Sequence, residues 1–289
     1  MAEVRRRFLP LLLIGSMLVF GAQRAHAAER GTTAPLMLQH ASHSLPSGAV
    51  TTAAYLPPAL VGGARAQIVV LLHGWSCCAA ALVTSARKRC GGVVRDGWGL
   101  GARVDESGTD TLFLVPQLAL GARDGSAGQF AQAGFFAAWL SEALAALGAR
   151  LPGERARWAA APIALVAHSA GYETALAILR DPPAAARVRR VVMLDALYAG
   201  SAQLVSWLAA DSTRRVASVH TRGVATTREN ARLVALAQRT LGAAAIGERV
   251  LVVPTRAGHA ALLSRSFAPL LRDFSADSFA EMAQGAPAP

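Results

Sequence analysis

The chain has 289 residues, enough for one large α/β domain or two small ones. Hydrophobic residues make up 53% of it and charged residues 16%, which allows a sizeable core and excludes extensive disorder. The net charge is +11, but the arginines are scattered and no nucleic-acid motif accompanies them, so we predict no nucleic-acid partner.

The first 27 residues have the pattern of an export signal that is removed from the mature protein. Residues 5–7 are arginines, residues 10–22 are apolar but short for a membrane span, and Ala25-His26-Ala27 is a small-x-small cleavage pattern. We predict a periplasmic or secreted chain that begins at Ala28 and has no stable membrane span. Residues 5–9 also resemble the twin-arginine export signal, so the export route stays open between that and the ordinary secretory route.

Residues 28–289 are predicted to form a single domain, because neither an internal repeat nor a linker divides them. Within it we expect an N-terminal extension over residues 28–48 and a flexible Ala/Pro-rich tail over residues 275–289.

Three cysteines occur in the chain, namely Cys77, Cys78 and Cys90. In an exported protein they predict one disulfide, between Cys90 and either of the adjacent two, with one thiol left over. Metal binding would need more ligands at suitable spacing, so we predict no metal site.

Apolar runs in the first half of the domain predict strands that alternate with helices. The predicted strands are Ala49–Leu56, Gln67–Leu72 and Thr111–Val115, and the predicted helices run from about Cys77 to Arg89 and from Phe130 to Leu147.

The second half continues this alternation. After the strand that ends before Ser169 and its following helix come strands at Arg190–Leu194, Val216–His220 and Arg249–Val253, with helices at Glu229–Gln238 and from about Ala260 to Leu271. This order predicts an α/β fold with a doubly wound, mostly parallel sheet and helices on both faces.

Four polar residues follow predicted strands directly or after a short loop: His73, Ser169, Asp195 and His259. Ligands of such sheets bind beyond the carboxyl ends of the strands. Ser169 lies in Ala167-His168-Ser169-Ala170-Gly171 between a strand and a helix, where small neighbours permit a sharp turn that exposes the hydroxyl. The alternative is an ordinary serine helix cap.

A serine hydroxyl is a weak nucleophile at neutral pH and needs a base to take its proton. His259 can act as that base while an acid orients its other ring nitrogen, and Asp195 is our candidate acid. Glu229 is the fallback and Asp211 a distant third. Asp195 could instead cap a helix that starts near Leu197.

From about Ala49 to Phe274 the chain resembles the α/β-hydrolase superfamily, in which the triad follows the order Ser, Asp, His. The resemblance implies Ser169 as the nucleophile and His259 as general base and acid. Ala167 replaces the first glycine of the usual turn, and no acid directly follows the Val216–His220 strand. The position of Asp195 is similar to that of the acid in pancreatic-type lipases.

The same resemblance implies an oxyanion hole formed by backbone amides of Gly74 or Trp75 and of Ala170. Candidates for the substrate pocket are Trp75, Gln117, His168 and Tyr198, although each could equally be a packing residue; the side chains of His73 and His168 are expected to be structural. Residues 118–134 could form a flap over the pocket or a plain surface loop.

The predicted function is that of an exported serine hydrolase, most simply a carboxylesterase or lipase, acting on a small-molecule or lipid-like ester without any cofactor. A peptidase or amidase that acts on cell-wall or peptide substrates is the nearest alternative, since both reactions use one triad. A catalytically inactive hydrolase-like binding protein and an acyltransferase are the others.

Overall fold

The computed structural model describes residues 30–56, 58, 66–151 and 155–272. The predicted export signal at residues 1–27 and the predicted tail at 275–289 lie outside the described residues. None of the described helices is long and apolar enough to cross a membrane.

The described residues form ten β-strands. They are β1 (Thr32–Leu36), β2 (Thr52–Leu56), β3 (Gln67–Leu72), β4 (Lys88–Cys90), β5 (Val93–Arg95), β6 (Thr111–Pro116), β7 (Ile163–His168), β8 (Val188–Leu194), β9 (Arg215–His220) and β10 (Val250–Pro254). Eight of them make one sheet in the order β1-β2-β6-β3-β7-β8-β9-β10, and β4 pairs with β5 alone. The six strands from β6 to β10 in that order are parallel, while β2 is antiparallel to both of its neighbours.

Ten α-helices connect the strands within the described ranges. They are α1 (Ala79–Val83), α2 (Leu100–Ser107), α3 (Phe135–Leu147), α4 (Arg155–Ala160), α5 (Tyr172–Arg180), α6 (Pro182–Arg187), α7 (Ser201–Ala209), α8 (Val224–Leu241), α9 (Ala245–Glu248) and α10 (His259–Arg272).

The sheet is covered on both faces, and its central strands are buried at nearly every position. In β3, Ile68, Val70 and Leu72 face a core built with α3 to α8, while Val69 and Leu71 face a second core built with α1, α2 and α10. Alternate residues of a strand point to opposite faces, so a strand buried on both sides carries a continuous apolar run. The predicted doubly wound α/β fold is confirmed.

Three elements differ from the predictions. The helix predicted over Cys77–Arg89 covers only Ala79–Val83, since the backbone is extended at Thr84. Gly91 and Gly92 adopt positive φ and turn residues 88–95 into the β4–β5 hairpin. The predicted N-terminal extension contains a strand, β1, which pairs with β2 at the edge of the sheet.

The third difference concerns the long helix predicted from Phe130. A short 3₁₀ turn occupies Gly128–Ala131, and α3 begins only at Phe135, after Gly134 with φ of 76°.

The disulfide joins Cys78 to Cys90, which leaves Cys77 as the free, half-buried thiol.

The turn between β7 and α5 depends on the absence of a side chain at Gly171. A Cβ added there would lie 2.0 Å from the carbonyl oxygen of Leu72 and 2.6 Å from its carbonyl carbon. The backbone of β3 therefore touches the turn that carries Ser169, and only glycine permits that approach.

We expect Gly171→Ala to lower the free energy of unfolding by about 2 kcal/mol or more, because backbone atoms would have to move apart. Gly258→Ala is the matched control, since its added Cβ meets nothing within 4 Å and its φ is not positive. Denaturant unfolding of both variants tests this, and equal stabilities would contradict it.

Candidate active site

The sheet brings the four predicted polar residues to one edge. His73 follows β3, Ser169 follows β7, Asp195 follows β8, and His259 begins α10 after the loop that leaves β10. Strands β3, β7 and β8 are direct neighbours, and only β9 separates β8 from β10. Residues far apart in sequence therefore meet because parallel strands end at the same edge.

Ser169 lies on a turn with unusual backbone geometry. Its φ is 55°, and β7 passes through a 3₁₀ turn at Ser169–Gly171 directly into α5. The other non-glycine residues with positive φ in the described chain are Ser76 and Asp195. Such conformations cost about 1–3 kcal/mol each and are typical of functional sites. The turn exposes the serine rather than using it as a helix cap, since the N-cap of α5 is Gly171.

Asp195 and His259 form the central contact of the site. His259 Nδ1–H donates to Asp195 Oδ2 at 2.7 Å. The aspartate side chain is buried, whereas 43% of the histidine side chain is exposed. Among the described residues Nε2 of His259 makes no hydrogen bond, so it is free to accept a proton from a neighbouring hydroxyl.

Thr221 completes the environment of the acid and was not predicted. Its amide donates to Asp195 Oδ1 at 2.9 Å, and its hydroxyl lies 3.0 Å from Oδ1 and 2.9 Å from Oδ2. Burial alone would raise the pKa of Asp195, but the hydrogen bonds from His259 and Thr221 outweigh burial and lower it. The carboxylate is therefore ionised at neutral pH.

Thr221 occupies the position directly after β9, where the sequence offers no acid. The acid stands at the end of β8 instead, and the threonine on the next strand holds it. A hydroxyl residue directly after a buried strand was the available signal, but nothing in the sequence links it to Asp195.

The fallback acids have other roles. Glu229 lies on α8, and its Oε1 accepts from the amide of Ser201 at 3.1 Å, at the start of α7. Asp211 accepts from the amide and hydroxyl of Thr213 in an exposed turn. Asp195 caps no helix, because α7 begins at Ser201 with Gly200 as its N-cap.

His168 connects the serine turn to His259. Its ring lies 4.8 Å from the His259 ring, centroid to centroid, at an interplanar angle of 34°, and its Nε2–H donates to the His259 carbonyl oxygen at 3.1 Å. The residue before Ser169 thus touches His259, so the serine and the imidazole lie on the same side of the molecule. His168 is buried, which removes it from the substrate-pocket candidates.

The Tyr198 phenol lies close to the Ser169 side chain, and its burial raises the pKa of Tyr198. In the described residues no hydrogen bond joins Ser169 to His259, a common situation in a free enzyme. Tyr198 and Trp75 are both exposed, and the Tyr198 ring lies 5.6 Å from that of Tyr172. Of the four pocket candidates, the structure leaves Trp75 and Tyr198 accessible.

Gln117 is buried and has a structural role instead of lining a pocket. Its side-chain oxygen accepts from the Ala79 amide at 2.8 Å, and its nitrogen donates to Nε2 of His73 at 3.1 Å. The Leu118 amide also donates to Nε2 of His73. The other ring nitrogen, Nδ1, donates its proton to the Gly74 carbonyl. This network fixes the segment after β3, and burial lowers the pKa of His73 to about 4.

The segment after β3 lies directly over the serine. A Cβ added to Gly74 would stand 2.7 Å from Ser169 Cβ and 3.2 Å from its Oγ. Within the described ranges, the amides of Gly74 and Trp75 donate to no backbone carbonyl, and the Gly74 backbone lies close to the Cys77 thiol. Ala170, whose amide is the third oxyanion candidate, follows the serine in the same turn.

No group of three or more His, Cys, Asp or Glu side chains that could hold a metal ion occurs in the part of the chain that the structure describes.

Comparison with known proteins finds solved structures of similar architecture. The sequence matches no protein-family model and no curated protein. The structure is similar to the feruloyl esterase module of Clostridium thermocellum, with a TM-score of 0.50 and 12% identity over 84% of this chain and 88% of that one. It is also similar to carboxyl esterase 2 from the fungus Tuber melanosporum, with a TM-score of 0.44 and 12% identity over 90% of this chain and 89% of that one.

The chain has the α/β-hydrolase fold. At these identities the likeness bears on the fold alone. What an α/β-hydrolase fold does in a given protein depends on the residues at the carboxyl edge of its sheet.

Two buried histidines of this site predict how stability depends on pH. Burial lowers the pKa of both His73 and His168 to about 4. The unfolded chain takes up these protons near pH 6.5 and the folded protein only near pH 4, so stability is lost as the pH falls between these values. The loss is about 3 kcal/mol for each imidazole.

Denaturant unfolding between pH 7 and 5 tests this expectation. His168→Gln should reduce the slope of stability against pH relative to the wild type, because one protonation of the unfolded chain disappears. An unchanged slope in both His168→Gln and His73→Gln would contradict it.

Proposed function

We propose that the protein is an exported serine hydrolase that cleaves carboxylic esters through Ser169, His259 and Asp195. The observation that carries the proposal is the 2.7 Å hydrogen bond from His259 Nδ1 to a buried carboxylate, at the edge of the sheet where Ser169 lies on a turn with positive φ. An imidazole held by a carboxylate can accept the proton of a hydroxyl, and a backbone conformation of this kind is typical of functional sites.

In the proposed reaction, the Ser169 hydroxyl turns toward His259 when substrate binds. Its oxygen attacks the ester carbonyl carbon while its proton passes to Nε2 of His259. Asp195 stays ionised and stabilises the imidazolium that forms. The carbonyl π electrons move to oxygen, which the amides of Ala170 and of Gly74 or Trp75 are proposed to bind.

The tetrahedral intermediate then collapses. The bond to the leaving alkoxide breaks, and the alkoxide takes the proton from His259. A water molecule repeats the sequence on the acyl-enzyme, giving its proton to His259 and releasing the carboxylic acid with free Ser169.

Export is part of the proposal and rests on two features. Residues 1–27 have the pattern of a cleavable signal, and the Cys78–Cys90 disulfide is favoured in an oxidising compartment. Mass spectrometry of protein recovered after export should find Ala28 at the amino terminus, and an intact terminus would contradict cleavage.

A fluorophosphonate probe tests the proposed nucleophile, because it reacts with serines that a neighbouring base activates. Labelling should occur at Ser169, disappear in Ser169→Ala and slow greatly in His259→Ala. The matched controls are Ser212→Ala and His40→Ala, which alter a serine and a histidine outside the site and should label as the wild type does.

Turnover of p-nitrophenyl esters tests the acid and the substrate class. Asp195→Asn should lower turnover by about 10⁴-fold, since the imidazole loses the partner that sets its tautomer. Near-normal turnover in this variant would remove Asp195 from the mechanism. Matched p-nitroanilides separate ester from amide cleavage, and faster anilide hydrolysis would favour the peptidase or amidase alternative.

A further inference from the structure

The β4–β5 hairpin lies on the surface of the protein. Its second strand is exposed along its whole length, and so are both glycines of the turn before it. An isolated two-stranded ribbon is at best marginally stable in water, so it needs support from elsewhere in the fold. We call residues 87–96 the basic ribbon.

The Cys78–Cys90 disulfide supplies that support. Cys78 is the N-cap of α1, close after the segment that lies over Ser169, and Cys90 ends β4. A Cβ added to Gly91 at the turn would stand 3.4 Å from Leu120. Since Leu120 follows the carboxyl end of β6, the basic ribbon lies at the same edge of the sheet as Ser169.

The surface of the basic ribbon combines positive charge with apolar side chains. Val93 and Val94 are 51% and 43% exposed, which is unusual for adjacent valines on a strand. Lys88, Arg89 and Arg95 surround them, and the one acid of the ribbon, Asp96, already pairs with Arg87 at 3.1 Å.

We propose that the basic ribbon docks the protein on a lipid bilayer rich in anionic headgroups. The basic side chains match the negative surface of such a bilayer. β5 meets it along its edge away from β4, so that Val93 and Val94, on opposite faces of the strand, both enter the boundary between headgroups and acyl chains. A soluble polyanion would match the charge but would offer the valines no apolar phase. The pairing of charge with exposed valines therefore favours the membrane.

Docking would hold the carboxyl edge of the sheet, with Ser169, facing the lipid. This consequence rests on the proposed function, whereas the docking itself does not. The binding experiment therefore uses Ser169→Ala protein, which cannot hydrolyse lipid through that serine and whose binding does not depend on catalysis.

The test is flotation of the protein with vesicles of phosphatidylcholine alone or with about 30% phosphatidylglycerol. The protein is recovered after export, and its amino terminus is checked by mass spectrometry so that residues 10–22 are absent from every sample. It should bind the anionic vesicles and not the neutral ones, and 0.5 M salt should weaken binding.

Two variants of the basic ribbon should each weaken binding about ten-fold or more. One is Val93→Ser with Val94→Ser, and the other replaces three cations by glutamine at Lys88, Arg89 and Arg95. The matched control removes the same charge from exposed positions on α8, at Arg228, Arg232 and Arg239, and should bind as the parent does.

Three results would overturn the proposal. The first is equal binding to neutral and anionic vesicles, or unchanged binding in both ribbon variants. The second is loss of binding in the charge variant alone, together with equal affinity for soluble polyglutamate, which would identify a polyanion as the partner. The third is a dimer in sedimentation velocity that the valine variant dissociates, which would assign the ribbon to a second copy of the chain.

Discussion

The hydrogen bond between Asp195 and His259 is the interaction on which the site depends. It joins the end of β8 to the start of α10, two elements 64 residues apart in sequence. Nδ1 of the imidazole donates to the carboxylate, and Nε2 has no hydrogen-bond partner among the described residues, which is the arrangement that the proposed general base needs. The bond from His259 and those from the amide and hydroxyl of Thr221 hold the pKa of Asp195 below its usual value, so the carboxylate is ionised.

The surrounding fold holds this pair at the edge of the sheet that also carries Ser169. Gly171 lets the turn after β7 touch β3, and His168 packs its ring against that of His259. On the other side, the buried pair of His73 and Gln117 fixes the backbone segment that passes over the serine. Each of these contacts joins two segments at the carboxyl edge of the sheet. The order of the strands therefore determines the geometry of the site.

Much of the fold could be predicted because its central strands carry unambiguous signals. Residues 68–72 are all apolar and the first three are β-branched, and the predicted limits Gln67–Leu72 equal those of β3. Short or exposed elements gave weaker signals. Thr32–Leu36 becomes a strand only by pairing with β2, and residues 88–95 become a hairpin because Gly91 and Gly92 turn the chain.

For the site, chain order and strand ends predicted Ser169, Asp195 and His259, and the structure places all three at one edge of the sheet with a hydrogen bond between the last two. The sequence could not assign Gln117, because a polar residue after a strand is equally suited to a pocket or to a buried network. It could not assign Thr221 either, since its role follows from the pairing of β8 with β9 and not from local pattern.

The central claim is that Asp195 sets the tautomer of the His259 ring, and nitrogen-15 NMR of histidine-labelled protein tests it most directly. At pH 8 the account predicts a protonated Nδ1 and an unprotonated Nε2 in His259, with a downfield Nδ1 proton that disappears in Asp195→Asn. A protonated Nε2 in the wild type, or an unchanged spectrum in that variant, would contradict the account.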